Sequence, residues 1–230
     1  MTVHYQLPSH ALPVNATTGV EPQTRTVSPA FYRNGFKRIF DTLAILMSLP
    51  VILPMILLLA VVAAHDSGPP FFRQLRVGRG GRLYTMWKLR TMVVDAETKL
   101  EAHLAADPSA RSEWDSTQKL KADPRITRIG RFLRKSSLDE LPQLWNVLRG
   151  DMSLVGPRPM LPEQAPLYPG KSYHALRPGI TGLWQVSERN DSSFADRAQY
   201  DTRYDRTLSL ATDLRLLVAT IRVVVRGTGY

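Results

Sequence analysis

The chain contains no cysteine, so disulfides, thiolate nucleophiles and Cys-ligated metals are excluded. Its five histidines form no HExxH or comparable pair, which argues against a zinc site. Acidic side chains are scarce beside basic ones: 20 Asp and Glu stand against 30 Lys and Arg in 230 residues, a formal net charge of +10. That excess suits an anionic partner, whether nucleic acid, phosphorylated substrate or acidic lipid surface, and composition alone leaves all three open. Residues 1–30 lack apolar periodicity and lack a basic region followed by an apolar stretch. They give no sign of export and read as a flexible leader.

What is abundant is unbroken hydrophobicity. TLAILMSLPVILPMILLLAVVAA, residues 42–64, carries no charge, and about 20 apolar residues suffice to cross a bilayer as a helix. A core helix of so small a domain would not be apolar on every face. Pro50 and Pro54 lie one turn apart near its middle, where each removes a donor and crowds the carbonyl four residues earlier, so a bend is expected. Arg33, Lys37 and Arg38 precede the run, and Arg73, Arg76, Arg79, Arg82, Lys88 and Arg90 follow it. Basic flanks stay cytoplasmic. A bent helix that enters and leaves by one leaflet satisfies both flanks, whereas a straight span strands one of them. Near the other end, residues 208–227 are apolar with Asp213, Arg215, Arg222 and Arg226 interspersed. They predict an amphipathic helix, either interfacial or packed on the core.

Between these segments, FFRQLRV and RLYTMWKL flank a glycine-rich turn at residues 78–81, the pattern of a β-hairpin. Residues 95–121 are polar and helix-favouring with a break near Pro108, a solvated connector. RITRIGRFLRK, residues 125–135, sets Arg125, Arg128 and Arg131 or Lys135 on one helical face and Ile126, Ile129 and Leu133 on another.

The basic stretch leads into SSLDELPQLWNVLRGDMSLVGPRP. Ser137 and Glu140 have capping-box spacing, but Pro142 would then fall inside the helix. A start at Asp139 puts the proline in the tolerant first turn. Either register sets Asp139 at a helix N-terminus, where unpaired N–H groups favour carboxylates and phosphates. Adjacent carboxylates amid arginines suit Mg²⁺-assisted phosphoryl chemistry, and a carboxylate can itself attack phosphorus when cations neutralise the repulsion. Arg158, held between Pro157 and Pro159, has the restraint that a bidentate phosphate contact benefits from. Downstream, RPGITGLWQV, residues 177–186, joins a Pro-Gly turn to a polar-aromatic stretch.

KRIFD at residues 37–41, the apolar hairpin, FFRQLRVGRGGRLYTMWKLRTM, SLDELPQLWNVLRGDMSLVGPRP and RPGITGLWQV occur here in the order found in bacterial sugar transferases. The chain resembles that family, the monotopic polyprenyl-phosphate phosphoglycosyltransferases that begin exopolysaccharide and O-antigen assembly, from about Lys37 to Tyr230. The resemblance implies transfer of a sugar 1-phosphate from a UDP-sugar to undecaprenyl phosphate in two steps. Asp139 would be the nucleophile, UMP the leaving group, and a phosphosugar-aspartyl species the intermediate. Glu140 would hold Mg²⁺, Arg158 would clamp phosphate, Lys88 and Arg90 would line the site, and Arg177 and Gln185 would lie near the nucleotide. Some members carry a Ser-Pro pair at the helix break, whereas here Leu53 precedes Pro54 and the nearest serine is Ser48. SERNDSSF, residues 187–194, is similar to hexose-transferring members, which makes UDP-glucose or UDP-galactose the expected donor.

The expected fold is α+β and mainly helical. It is that of a monotopic membrane protein with a re-entrant helix-break-helix, a short β-hairpin and amphipathic interfacial helices. Residues 1–30 form the leader, 31–66 the re-entrant hairpin with Pro50 and Pro54 at its break, and 67–230 a cytoplasmic catalytic domain. Expected partners are a UDP-sugar, undecaprenyl phosphate and membrane lipid at the cytoplasmic face of a bacterial inner membrane, with Mg²⁺ as cofactor, a homodimer allowed and no nucleic acid. The rivals are a non-catalytic basic scaffold at the membrane surface, which leaves the carboxylate–GPRP block unexplained, and a nucleic-acid binder, which the apolar run opposes.

Overall fold

The structure is a computed structural model that describes residues 31–65, 68–117, 120–187 and 194–225. The expected leader and most of SERNDSSF, residues 188–193, lie outside the described residues, as do 226–230. The architecture is mainly helical with two small sheets and one long apolar helix near the N-terminus.

After one π-helical turn, Tyr32–Phe36, helix α1 covers Lys37–Ala63. Helix α1 is assigned as one element, and the expected break at Pro50 and Pro54 does not end it: both prolines lie inside. Proline's fixed φ is itself helical, so the chain can continue through it at the loss of one hydrogen bond each. Ser48 Oγ donates to the Ile45 carbonyl at 2.8 Å, one residue before the carbonyl that Pro50 leaves without its i+4 donor.

Both ends of α1 are held by the rest of the protein. At its start, Lys37 Nζ lies 2.5 Å from Asp213 Oδ2, and Tyr32 and Tyr204 donate their hydroxyls to the same carboxylate at 2.6 Å each. Asp41 accepts from Ser153 Oγ at 2.6 Å, and Ile45 is buried with Tyr84, Met86, Val147 and Met152. At its end, Ala60 packs with Leu89 and Leu133, and Arg90 Nη2 donates to the Ala63 carbonyl at 2.8 Å. Between them Met47, Val51, Leu53, Leu57 and Leu58 are exposed.

The predicted hairpin is present, with β1 at Phe71–Val77 and β2 at Leu83–Leu89 paired antiparallel. Gly80 and Gly81 take φ of +69° and +80° in its turn, a region open to glycine at little cost. The connector forms α2, Ala96–Ala106, and α3, Pro108–Thr117. Asp107 Oδ1 accepts from the Ser109 and Ala110 amides at 2.8 and 3.2 Å, and proline at the first helical position forfeits nothing. Helix α4, Arg128–Lys135, begins on Thr127, whose Oγ1 accepts from the Gly130 amide. Arg125 therefore sits outside the helix, not on its basic face as expected. It pairs with Asp123 at 2.7 Å and lies over the Trp114 ring.

The capping-box expectation is also corrected. Ser137 takes a left-handed φ of +56° without capping anything, Leu138–Glu140 form a single 3₁₀ turn, and α5 begins only at Gln143 with Pro142 as its cap residue. Pro142 has no amide hydrogen to donate back to Leu138, which favours a short 3₁₀ turn over a helix running in from Ser137. Helix α5, Gln143–Arg149, sits against the hairpin through Asn146, whose Oδ1 accepts from the Trp87 amide while its Nδ2 donates to the Thr85 carbonyl. One side chain thus serves the edge of β2 as a neighbouring strand would.

Strand β3, Ser153–Val155, leads into GPRP and, after the single-turn α6, Ser172–Ala175, pairs parallel with β4, Gly179–Thr181. A Cβ on Gly156 would stand 2.3 Å from the Arg177 carbonyl, so only glycine allows this approach. The short α7, Leu183–Val186, is followed by α8, Arg197–Thr207, and α9, Leu210–Val225. Helix α9 buries Asp213 and Leu216 against the core, while Leu214, Val218 and Ile221 form an exposed apolar stripe.

Candidate active site

Strand β2, the 3₁₀ turn and the loop after β3 converge on one pocket lined by Arg76, Met86, Lys88, Glu140, Gln143, Arg158 and Gln185, among others. Its position follows from the strand register. Arg76 stands opposite Tyr84, and Phe72 opposite Lys88, so by the two-residue alternation Arg76 and Lys88 share one face of the hairpin. Asn146 fixes α5 against that hairpin, and the turn just before α5 brings the carboxylate pair to the same face.

Asp139 is buried and Glu140 half-buried. Lys88 Nζ lies 2.7 Å from Glu140 Oε1 and 3.7 Å from Asp139 Oδ2. Burial pushes the Asp139 carboxyl above the ordinary carboxylate range; Lys88 and then Arg134 oppose this, and Glu140 reinforces it. Arg134 is itself held by a bond from its Nε to Thr91 Oγ1 at 2.9 Å. Ser137, the sole non-glycine residue with positive φ among the described residues, turns the chain immediately before the pair. Backbone strain of this kind costs about 1–3 kcal/mol and clusters at functional sites.

Around the carboxylates the charge is lopsided. Arg158 and Arg197 both stack on Trp184, with guanidinium carbons 5.8 and 4.2 Å from the ring centroid. Arg76 donates to Gln74 Oε1 and the Pro159 carbonyl, yet its Nε, like that of Arg197, is buried with no hydrogen-bond partner. Burial, followed by the nearby Arg158, depresses the pKa of Arg76, and the same causes lower Arg197 to about 10. Asp201 opposes the Arg197 shift but is itself engaged by the Tyr168 hydroxyl at 2.8 Å, and burial pushes it up to about 6. Two guanidiniums lining the pocket, Arg76 and Arg158, with Arg197 close enough to feel both, make a seat for an anion with several oxygens.

Of the residues singled out in the sequence, Asp139, Glu140, Lys88, Arg158 and Gln185 are brought together here. Gln185 donates from Nε2 to the Ile180 carbonyl at 3.0 Å and keeps a buried Oε1 without a partner. Arg90 and Arg177 are placed elsewhere. Arg90 is buried and donates to the carbonyls of Ala63, Pro69 and Met92. Arg177 Nε donates to the Gly150 carbonyl at 3.1 Å, beside Arg38, whose guanidinium reaches the Val147 and Leu148 carbonyls. Together they cover the C-terminal carbonyls of α5, where cations are favoured. Arg76, Arg134 and Arg197 escaped the sequence reading. Strand alternation could have found Arg76 as the partner of Lys88; nothing local marks Arg197, which arrives through long-range packing on Trp184.

No group of three or more His, Asp or Glu side chains able to enclose a metal occurs among the described residues. The pair Asp139–Glu140 instead matches what Mg²⁺ accepts, one or two protein carboxylates with substrate phosphate oxygens completing the shell.

A family model described as bacterial sugar transferase matches residues 32–227. Over 195 residues, 84% of this chain and 41% of the relative, the sequence is 49% identical to the UDP-galactose-lipid carrier transferase of Erwinia amylovora. The same shares are covered at 46% identity in the undecaprenyl-phosphate galactose phosphotransferase of Salmonella typhimurium. The exopolysaccharide production protein ExoY of Rhizobium meliloti is 44% identical over 196 residues, 84% of this chain and 87% of that protein. The chain thus spans about two fifths of the length of the first two relatives and most of the third.

Proposed function

The chain belongs to the bacterial sugar transferase family, and from that premise we propose that it is a membrane-bound sugar-phosphate transferase. In this reading it moves a sugar 1-phosphate from a UDP-sugar to undecaprenyl phosphate, the opening step of exopolysaccharide or O-antigen assembly. The observation that carries the reading is the buried Asp139 carboxylate beside Lys88, at the edge of a pocket lined by Arg76 and Arg158 with Arg197 close to both. A nucleotide sugar is the natural occupant, since its diphosphate brings the negative charge that the guanidiniums lack.

An Asp139 oxygen attacks the sugar-bearing phosphorus; the bond from that phosphorus to the bridging oxygen breaks, and UMP leaves with the electron pair. An oxygen of the polyprenyl phosphate then attacks the same phosphorus. The acyl-phosphate bond breaks, the Asp139 carboxylate is restored and the lipid diphosphosugar is released. Neither step requires a net proton. Lys88 neutralises charge between the carboxylates and the phosphoryl group, and Arg76, Arg158 and Arg197 hold the nucleotide-side phosphate. Gln185 Oε1, a buried acceptor in need of a donor, is suited to a hydroxyl of the substrate. Glu140, with Asp139 beside it, would hold Mg²⁺, which supplies charge neutralisation at the phosphates when bound. The donor sugar is glucose or galactose; relatives named for galactose favour the latter.

The membrane arrangement is read from α1. Its beginning is tied to α8 and α9 and its end to the hairpin and α4, so both ends belong on one side of the bilayer, with the exposed apolar middle dipping into a leaflet. Basic residues on the attached domain favour the anionic cytoplasmic face of the inner membrane.

Incubation with a radiolabelled UDP-sugar and Mg²⁺ in the absence of lipid acceptor tests the reading. Wild type should release UMP and retain label on the protein, and Asp139→Asn should do neither. A wild type that never labels, together with unaltered UMP release by Asp139→Asn, sinks the covalent mechanism.

A further inference from the structure

A second depression adjoins the cationic pocket, and three residues, Glu140, Ile180 and Gln185, line both. It is a trough of about 230 Å³, formed by Leu138 and Leu141 beside the carboxylate turn, Leu144 on α5, Val186 on α7, and Val223 and Val224 on α9. Its polar lining is partly neutralised from within: Thr181 and Thr220 bond to each other at 2.6 Å, and Thr220 donates to the Leu216 carbonyl at 2.7 Å. Left open, such aliphatic walls face water at a cost. A nucleotide sugar offers them only its pyrimidine ring. The trough and the cationic pocket together match a molecule with a phosphate at one end and a hydrocarbon at the other. One wall is α9, whose outer surface carries the exposed Leu214, Val218 and Ile221 flanked by Arg215 and Arg222, the make-up of a helix lying in a lipid headgroup layer.

We propose that this trough receives the first isoprene groups of the polyprenyl phosphate acceptor. The acceptor's phosphate sits at the Glu140 end, and the rest of its chain passes along the α9 stripe into the bilayer. The assignment rests on the transfer reading above and extends it by giving donor and acceptor separate compartments that share Glu140, Ile180 and Gln185. The shared residues bring the lipid phosphate to the phosphorus from which UMP departs, while the hydrocarbon stays in the trough.

The test uses the full chain in nanodiscs, with UMP release first measured without acceptor; that measurement reports on the transfer reading alone, so its failure is told apart from failure of the trough. Val223→Trp and Val224→Trp should then each raise the KM for polyprenyl phosphate about tenfold, the effect of displacing two buried methylene groups, while the KM for the UDP-sugar moves less than about twofold. A raised donor KM with an unchanged acceptor KM would give the trough to the nucleoside and overturn the proposal. Should the tryptophan variants fail to fold, a polyprenyl phosphate bearing a diazirine on its first isoprene group serves on wild type. Crosslinks to residues 138–144 or 220–224 support the trough, and crosslinks confined to α1 exclude it.

Discussion

Lys88 Nζ stands 2.7 Å from Glu140 Oε1 and a full ångström farther from Asp139 Oδ2, so the one lysine is shared unequally between two adjacent carboxylates. The more distant partner is the more buried of the two. That inequality leaves Asp139 less neutralised, as the proposed nucleophile requires, while Glu140 is held in place.

The first prediction concerns pH. Burial raises the Asp139 pKa and Lys88 lowers it, and in the proposed mechanism the nucleophile is the carboxylate. The acid limb of the kcat/KM profile should therefore lie above the ordinary carboxylate value of about 4, with activity rising as pH rises through it. Lys88→Met removes a lowering influence, so the limb should move to higher pH, alongside a rate loss of about a hundredfold. A limb that stays in place or moves to lower pH would show that Lys88 does not act on Asp139.

The arginines make a second case. Arg197→Gln and Arg76→Gln should each raise the KM for the UDP-sugar and the inhibition constant of UMP by about tenfold to a hundredfold, the worth of one charged hydrogen bond. Arg197→Lys should rescue little, because an ammonium cannot reproduce the planar stacking over Trp184. Steady-state kinetics with UMP as product inhibitor read this out, and unchanged constants in both Gln variants would remove the nucleotide-side phosphate from this pocket.

A third prediction is structural. Asp213 is fully buried and binds Lys37, Tyr32 and Tyr204 at once. Asp213→Asn leaves the Lys37 ammonium buried without its counter-charge, a change that typically costs about 3–5 kcal/mol. Thermal unfolding in detergent should show a clear drop. A midpoint within about 2 °C of wild type would mean that the pair contributes little to docking α1.

The fourth concerns topology. Because the chain has no cysteine, single thiols placed in residues 1–30 and at Gly80 can be probed on intact cells with an impermeant reagent. The proposed arrangement, with both ends of α1 on the cytoplasmic side, expects neither to label. Labelling of the N-terminal thiol alone would establish a spanning helix.

How much was legible beforehand varied with the range of the interactions involved. The hairpin was written in alternation and in the glycines of its turn, and the connector helices in their composition and in Asp107-Pro108. Neither local register, a cap at Ser137 or a start at Asp139, gives the start of α5, which lies at Gln143 after a separate 3₁₀ turn. Lys88, Asp139, Glu140 and Arg158 were identifiable as chemistry-bearing residues; Arg90 and Arg177 looked equivalent to them and are instead bound to backbone carbonyls at the ends of α1 and α5.

The sequence by itself determined the absence of thiol chemistry, the presence of a long apolar helix and the adjacency of two carboxylates just ahead of a proline. These depend on residue type and on neighbours a few positions apart. Only the tertiary structure decided that α1 runs through both prolines, and that Arg76 and Arg134 rather than Arg90 and Arg177 stand near the pair. Only it decided that Lys88 divides its charge unevenly between Asp139 and Glu140. These depend on which of many similar cations reaches a given carboxylate across 50 or more residues, and that is settled by strand register and by burial.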